Sequence, residues 1–414
     1  MRSQPHFEAD TIAYLRSPEA IRERCGKLFA LAQADQLRYF RCDLTQLEQV
    51  SDYVVAVTRE HYPDLQIPFH SRWRHFEVGN VSRLEHLDRA LAALSPLEKA
   101  KAKFDLVIPS VLLDAGAGDR WRYLEAETGT VWSRSEGLAV ASFDLFCRGG
   151  FSSDPANCYQ TDADGLCQLT PNALAESFQV NNQNPLVGLE GRSQLLQKLG
   201  QTLQKHPNWF GTINPRPGNL VDYLLQHVQD GKLSAPIVLN TVLEGFGEIW
   251  SGRVLLAGVN LGDVWLHSAL PGTEISDQLV PFHKLSQWLT YSLLEPLQEL
   301  GLAITDLDAL TGLPEYRNGG LCLDLGLLQV KDQRILQQSY SPGAEAIVEW
   351  RALTVCLLDS IAHRVRQRLE LSASDLPLVK VLQGGTWAAG RKIAAHRRSS
   401  GASPIRIKSD GTVF

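Results

Sequence analysis

Apolar residues that recur every three to four positions, over long stretches and with no strand rhythm between them, limit the folds open to this chain more than any other feature. Residues 19–40 place Ile21, Cys25, Leu28, Phe29 and Ala32 on one helical face and charge on the other. Residues 44–61 and 82–94 repeat the pattern, the second opened by Ser82 and Glu85 as a capping box. Residues 95–113 continue it, with Pro96 in the first turn and the breaker Ala115-Gly116-Ala117-Gly118 at the end. Further helices are predicted over 281–300, kinked near Pro296, and over 344–369. The middle of the chain is more broken. It predicts a hairpin over 121–132 around Thr128-Gly129, helices over 135–146 and 172–180, and a proline-rich loop over 206–219. A buried segment over 237–250 and a strand pair around 254–266 follow. There is no internal repeat. The expectation is a mainly α protein with small β insertions, a single domain over 1–414. Its parts are a helical N-terminal part (1–115), a mixed middle (116–235) and a site-bearing C-terminal part (236–414).

With 414 residues, 44% of them hydrophobic, such a chain buries roughly three-quarters of its unfolded surface and needs no disulfide or structural metal. The seven cysteines include no CxxC pair, which fits reduced thiols in the cytoplasm. Cys147, Cys158 and Cys167 match no zinc-knuckle spacing and have no His nearby, so no metal is expected. A net charge of −6 disfavours a nucleic-acid partner, although residues 380–414 carry seven Lys or Arg against one Asp. The opening MRSQPHFEAD has no apolar signal region. The most apolar stretch, 235–247, is broken by Glu244, so no membrane partner is expected.

Common catalytic signatures are missing. Residues 114–119 hold two of the three glycines of a dinucleotide loop and follow a helix, and HExxH and GxSxG are absent, so no cofactor is expected. Residues 385–392, GTWAAGRK, have the frame of a phosphate loop, but Arg391 and Lys392 replace its Lys and hydroxyl residue. Two readings stay open there: backbone amides at a helix start facing a phosphate beside Arg391 and Lys392, or a flexible turn before a basic surface helix.

Three clusters could carry chemistry. FHSRWRHF over 69–76 packs His70, Arg72, Trp73, Arg74 and His75 together, and guanidinium forks grip phosphate while aromatic faces stack on planar groups. On a helix or a strand half of them would face solvent, and the plainer reading is Arg packed on Trp73 at the surface. Lys284 lies in a helix crowded with Phe282, Leu285 and Trp288, where it either snorkels to the surface or serves as a compact charge in a pocket. Glu315 and Arg317 sit in the glycine-flanked TGLPEYRNGG, as ligand groups or as an exposed ion pair. Glu349 and Arg351 lie in the apolar run IVEWRALTVCLLDSIA, where charges are expected to be paired and buried.

FHSRWRHF, PFHKLSQWLTYSLLEPL, TGLPEYRNGGL, VEWRALTV and the closing SDGTVF together resemble a fungal and bacterial family linked to uracil catabolism, long catalogued as a domain of unknown function. The likeness covers nearly the whole chain. It implies a place in a route that opens the pyrimidine ring of a uridine-type compound and releases urea. EYRNGGLCLDLGLL is also similar to the D-Y-R-V-P-Q…L-G-V-L stretch of queuosine-nucleotide N-glycosylases, which are helical and related to DNA glycosylases. FHKLSQ is similar to their F-Y-K-R-x-Q, and VEWRA to their V-E-I-R-A. That second likeness implies a DNA-glycosylase-like helical domain. It sets Glu315 on the catalytic Asp and Lys284 on the active-site Lys. Glu in place of Asp reaches one methylene further, and FHSRWRHF has no counterpart there.

The resemblances imply an N-glycosidase cleaving a ribosylurea or ureido-ribose phosphate, with Glu315, Lys284 and Arg317 in catalysis. Substrate contacts would come from His70, Arg72, Trp73, Arg74, His75, Glu349, Arg351 and Arg391. The partner would be a small phosphorylated ribose compound, alongside other enzymes of the pathway. The alternatives are a non-catalytic binding or scaffold protein of the same pathway, and a nucleic-acid glycosylase or binder.

Overall fold

The computed structural model describes residues 4–250 and 254–408; the closing SDGTVF motif lies outside the described residues. The protein is mainly α-helical, and its strands form small two-stranded pairs. Its contacts gather into two compact units that alternate along the chain. Among the described residues, one takes 4–70, 254–287 and 306–408, and the other 71–250 and 288–305.

The first unit is organised by the helix Glu345–Leu369, which packs on Pro18–Gln33 and Leu47–His61. These are the amphipathic runs expected from the sequence, although the run over 19–40 is helical only to Gln33, and the strand Phe40–Cys42 begins where it was expected to end. Their apolar faces (Ile21, Cys25, Leu28, Val50, Val54, Ile347, Leu357, Leu358) are buried. Burial of such faces stabilises helices far more than propensity does. The antiparallel strands Val264–Leu266 and Leu279–Pro281 precede the helix Lys284–Glu299. That helix starts three residues later than the apolar pattern suggested, because Pro281 still belongs to the strand and His283 takes a left-handed φ of 47°.

In the second unit, Pro96–Leu112 packs on Arg134–Cys147, and Leu189–Lys205 packs on Ala163–Gln168 and Pro171–Ser177. The hairpin over 121–132 is present as Tyr123–Leu124 paired with Val131–Trp132. The loop over 206–219 holds short helical turns at Pro207–Phe210 and Pro217–Asn219. Ser82 precedes the helix Arg83–Ala90 but makes no side-chain cap, so the expected capping box does not form. Among the described residues no helix is long and apolar enough to cross a membrane. All seven cysteines are free thiols.

Candidate active site

Glu315 opens the helix Tyr316–Asp324 in the first unit. Extended backbone at residue 315 (φ −103°, ψ 168°) lets its side chain fold back over the first turn. Oε2 accepts the Arg317 amide at 2.7 Å and Oε1 the Asn318 amide at 2.6 Å. The carboxylate thus answers two of the amides that every helix start leaves unsatisfied, and the helix dipole favours its charge. Glu315 is nonetheless buried, and burial pushes its pKa up; the two amides and the charges of Lys284 and Arg317 pull it back only in part. Such a carboxylate is a stronger base than an exposed one and can accept a proton or face a cation that forms beside it.

Lys284 is buried at the start of its own helix and does not snorkel into solvent. Its charge reaches Glu315. Arg317 is also buried. Its guanidinium lies 4.9 Å from the Tyr316 ring and Nη1 donates to the Gly401 carbonyl at 2.7 Å, while Nε is enclosed without a hydrogen-bond partner. The reading of Glu315 and Arg317 as an exposed pair is therefore corrected: both are enclosed.

Glu349 and Arg351 are buried as expected but are not each other's partners. Glu349 Oε1 accepts the amides of Tyr39 and Phe40 at 3.0 and 2.7 Å, and Oε2 faces His267 Nε2 at 3.5 Å. Arg351 instead grips Asp263, Nη1 to Oδ1 at 2.8 Å and Nη2 to Oδ2 at 2.7 Å. The sequence reading missed Asp263 and His267. Asp263 is a single acid in NLGDVW, and nothing local marks it apart from its place before an apolar strand.

His70 also belongs to the first unit. Its Nδ1–H donates to Gln383 Oε1 at 2.9 Å, Gln383 donates to Tyr62 Oη at 3.1 Å, and the ring lies 6.0 Å from Trp387. Arg391 is exposed, 5.6 Å over the Trp387 ring. The glycines before it do not form a turn. Leu378–Val381, a π-turn at Leu382–Thr386 and Trp387–Arg397 run on as one helical path, so no helix starts at Gly384-Gly385 to offer free amides to a phosphate. A Cβ at Gly385 would press on the side chains of Val54 and Thr58 and on the Val54 carbonyl, so this path passes close to the helix Leu47–His61.

Phe69 shares the first unit with His70, whereas residues 71–76 lie in the second; all of FHSRWRHF is buried except for Arg74, so the expectation that half of it faces solvent is corrected. Arg72 pairs with Asp114 at 2.8 Å, donates to Ser110 at 2.8 Å and sits 5.5 Å over the Trp288 ring. Arg74 pairs with Glu295 at 2.9 Å and Glu77 at 3.1 Å. Trp73 donates to the Ser292 carbonyl at 2.7 Å, and His75 packs 5.5 Å from Trp288. Carboxylates of the same unit thus already match both guanidinium groups. Among the described residues no three His, Cys, Asp or Glu side chains converge as a metal-ligand set.

The fold and site together define a mainly α-helical protein with a buried carboxylate set at a helix start and an amine close enough to feel its charge. The family described as "Protein of unknown function (DUF1688)" matches residues 14–414, and the chain belongs to it. The chain is 42% identical over 422 residues to "Protein urg3" of Schizosaccharomyces pombe, covering 99% of this chain and 100% of that protein. It is 38% identical over 437 residues to "Uracil catabolism protein 4" of Lachancea kluyveri, covering 97% and 99%.

Proposed function

We propose that this protein works in uracil catabolism as an N-glycosidase that cleaves a ribosylurea or ureido-ribose phosphate into urea and ribose phosphate. The pathway is supported by the name of the Lachancea kluyveri relative, which matches over nearly its whole length. The reaction class is supported by one observation above all. Glu315 is a buried carboxylate, destabilised by its burial, held by two backbone amides and opposed by Lys284.

Glycoside cleavage passes through an oxocarbenium-like state, and a fixed carboxylate stabilises that charge without reorganising. The C1′–N bond breaks with its electron pair leaving on the urea nitrogen, which takes a proton from the Lys284 ammonium. The oxygen of a water bonds to C1′ and gives its proton to Glu315. Solvent then carries that proton back to Lys284, so ligand plus water gives urea plus ribose phosphate. Arg317 adds positive charge beside the departing group. The deciding experiment incubates pure protein with ribosylurea 5′-phosphate and assays free urea. Urea release that falls about 10²–10³-fold in Glu315→Gln is expected. Tight binding without turnover would instead mark a binding or scaffold protein of the pathway.

A further inference from the structure

Asp263 holds the start of the helix that carries Lys284. Its Oδ2 accepts the Lys284 amide at 3.0 Å, and its backbone carbonyl accepts the Phe282 amide at 2.9 Å. Between these, His283 holds its left-handed φ of 47° while a ring N–H donates to the Leu15 carbonyl at 2.8 Å. The carboxylate is itself fixed from the other side. Trp265 Nε1 donates to Oδ1 at 2.6 Å, and Arg351 takes both oxygens in a fork while lying 4.0 Å over the Phe282 ring. The helix cannot turn or slide at residue 284 without breaking bonds to a carboxylate that Arg351 and Trp265 keep still.

We propose that Asp263 is a positioning residue for Lys284, with Arg351 as its anchor, so that Arg351 acts through Asp263 and the helix start. Planar two-point pairing fixes orientation as well as charge, and a reacting amine displaced by even about 1 Å loses much of its effect. Among the described residues, the titratable and charged groups facing this corner also include Glu315, Arg317, Arg16, His283 and Cys25. The proposal rests on the reading of Lys284 as the group that assists urea departure.

The test compares full-length wild type with Asp263→Asn, Asp263→Glu and Arg351→Lys in two assays. Urea release from ribosylurea 5′-phosphate gives kcat and KM. Limited acetylation with acetic anhydride, read by peptide mass spectrometry, gives the pH dependence of Lys284 labelling. Asp263→Asn is expected to lower kcat about 10- to 100-fold while KM changes less than about threefold. It also removes a negative charge and leaves Arg351, so the Lys284 labelling midpoint should move down by about half a pH unit or more. Asp263→Glu should restore part of both. If Asp263→Asn fails to fold, Arg351→Lys, which keeps both charges and loses the fork, should lower kcat and change the rate of Lys284 labelling by displacing the helix start, without the downward shift of the midpoint. A fall in kcat with Lys284 labelling like wild type would leave only a structural role and overturn the proposal. A wild type that releases no urea would sink the glycosidase reading, while the labelling assay would still decide whether Asp263 governs Lys284.

Discussion

Asp263 and Arg351 close a two-pronged pair across 88 residues of chain, at 2.8 and 2.7 Å. Burial alone would raise the Asp263 carboxyl, but the Arg351 charge and hydrogen bonds, with those of Trp265 and the Lys284 amide, hold it well below the usual carboxylate range. A folded-state value below the unfolded one gives stability that is fully present above the unfolded pKa of about 3.9 and lost as pH falls towards the folded value. Asp263→Asn leaves Arg351 buried without its counter-charge, which typically costs about 3–5 kcal/mol. Guanidinium unfolding of wild type and variant should show a constant gap above about pH 5 that narrows in stronger acid. A gap that widens on acidification would mean the pair does not carry the stability.

Glu315 gives the opposite sign. Burial raises its folded pKa, so its ionised form is disfavoured in the folded protein, and the stability it contributes is present below its unfolded pKa and lost as pH rises through the folded one. The reaction needs the ionised form, so kcat should fall in acid with a midpoint above about 4.3, the ordinary Glu value. Glu315→Gln keeps an oxygen for the Asn318 or Arg317 amide and removes the charge. Turnover should drop about 10²–10³-fold with affinity little changed, and stability at neutral pH should hold or rise. Full activity in a folded Glu315→Gln protein would refute the mechanism.

The helices were legible because burial repeats along them: Ile21, Cys25 and Leu28 in one run and Ile347, Leu357 and Leu358 in another give the period away locally. Glu315 and Lys284 were singled out as catalytic candidates through family likeness alone. Asp263 was not, because its meaning lies in an arginine 88 residues later. FHSRWRHF misled for the same reason. An Arg beside Trp looks like a surface cluster until Asp114 supplies the carboxylate that lets Arg72 be buried. The start of the Lys284 helix was blurred because the preceding strand Leu279–Pro281 is equally apolar. The π-turn at Leu382–Thr386 has no sequence period of its own.

Two helical glycines give a matched pair of predictions. Gly390 lies against the Arg317 carbonyl, where an added Cβ would fall inside contact distance of backbone. Alanine gains up to about 1 kcal/mol of helix propensity over glycine, but overpacking against fixed atoms costs about 1–3 kcal/mol. Gly390→Ala should therefore destabilise and, by shifting Arg317, lower turnover. Gly26, in the helix Pro18–Gln33, has nothing within 4 Å of its Cβ position, so Gly26→Ala should stabilise by about 0.5–1 kcal/mol. Thermal unfolding of both variants checks the contrast, and equal shifts of the same sign would contradict it.

Arg72 separates a ligand contact from a structural cation. Its side chain is fully buried, paired with Asp114, bonded to Ser110 and Ser135, and stacked over Trp288 and Phe76. Arg72→Ala strands the Asp114 carboxylate and empties the volume between the rings, at a cost of about 3–5 kcal/mol. Arg72→Lys keeps the charge but offers a point where a fork served several acceptors, so it should recover only part of that loss. Guanidinium unfolding measures both. If the cation is structural, any folded fraction should bind ribosylurea 5′-phosphate and its dephosphorylated form with the same ratio of affinities as wild type. A ligand phosphate held by Arg72 would instead lower the affinity for the phosphorylated form alone, by about 1.5–3 kcal/mol, with stability little changed, and calorimetric titration of the two ligands distinguishes the cases.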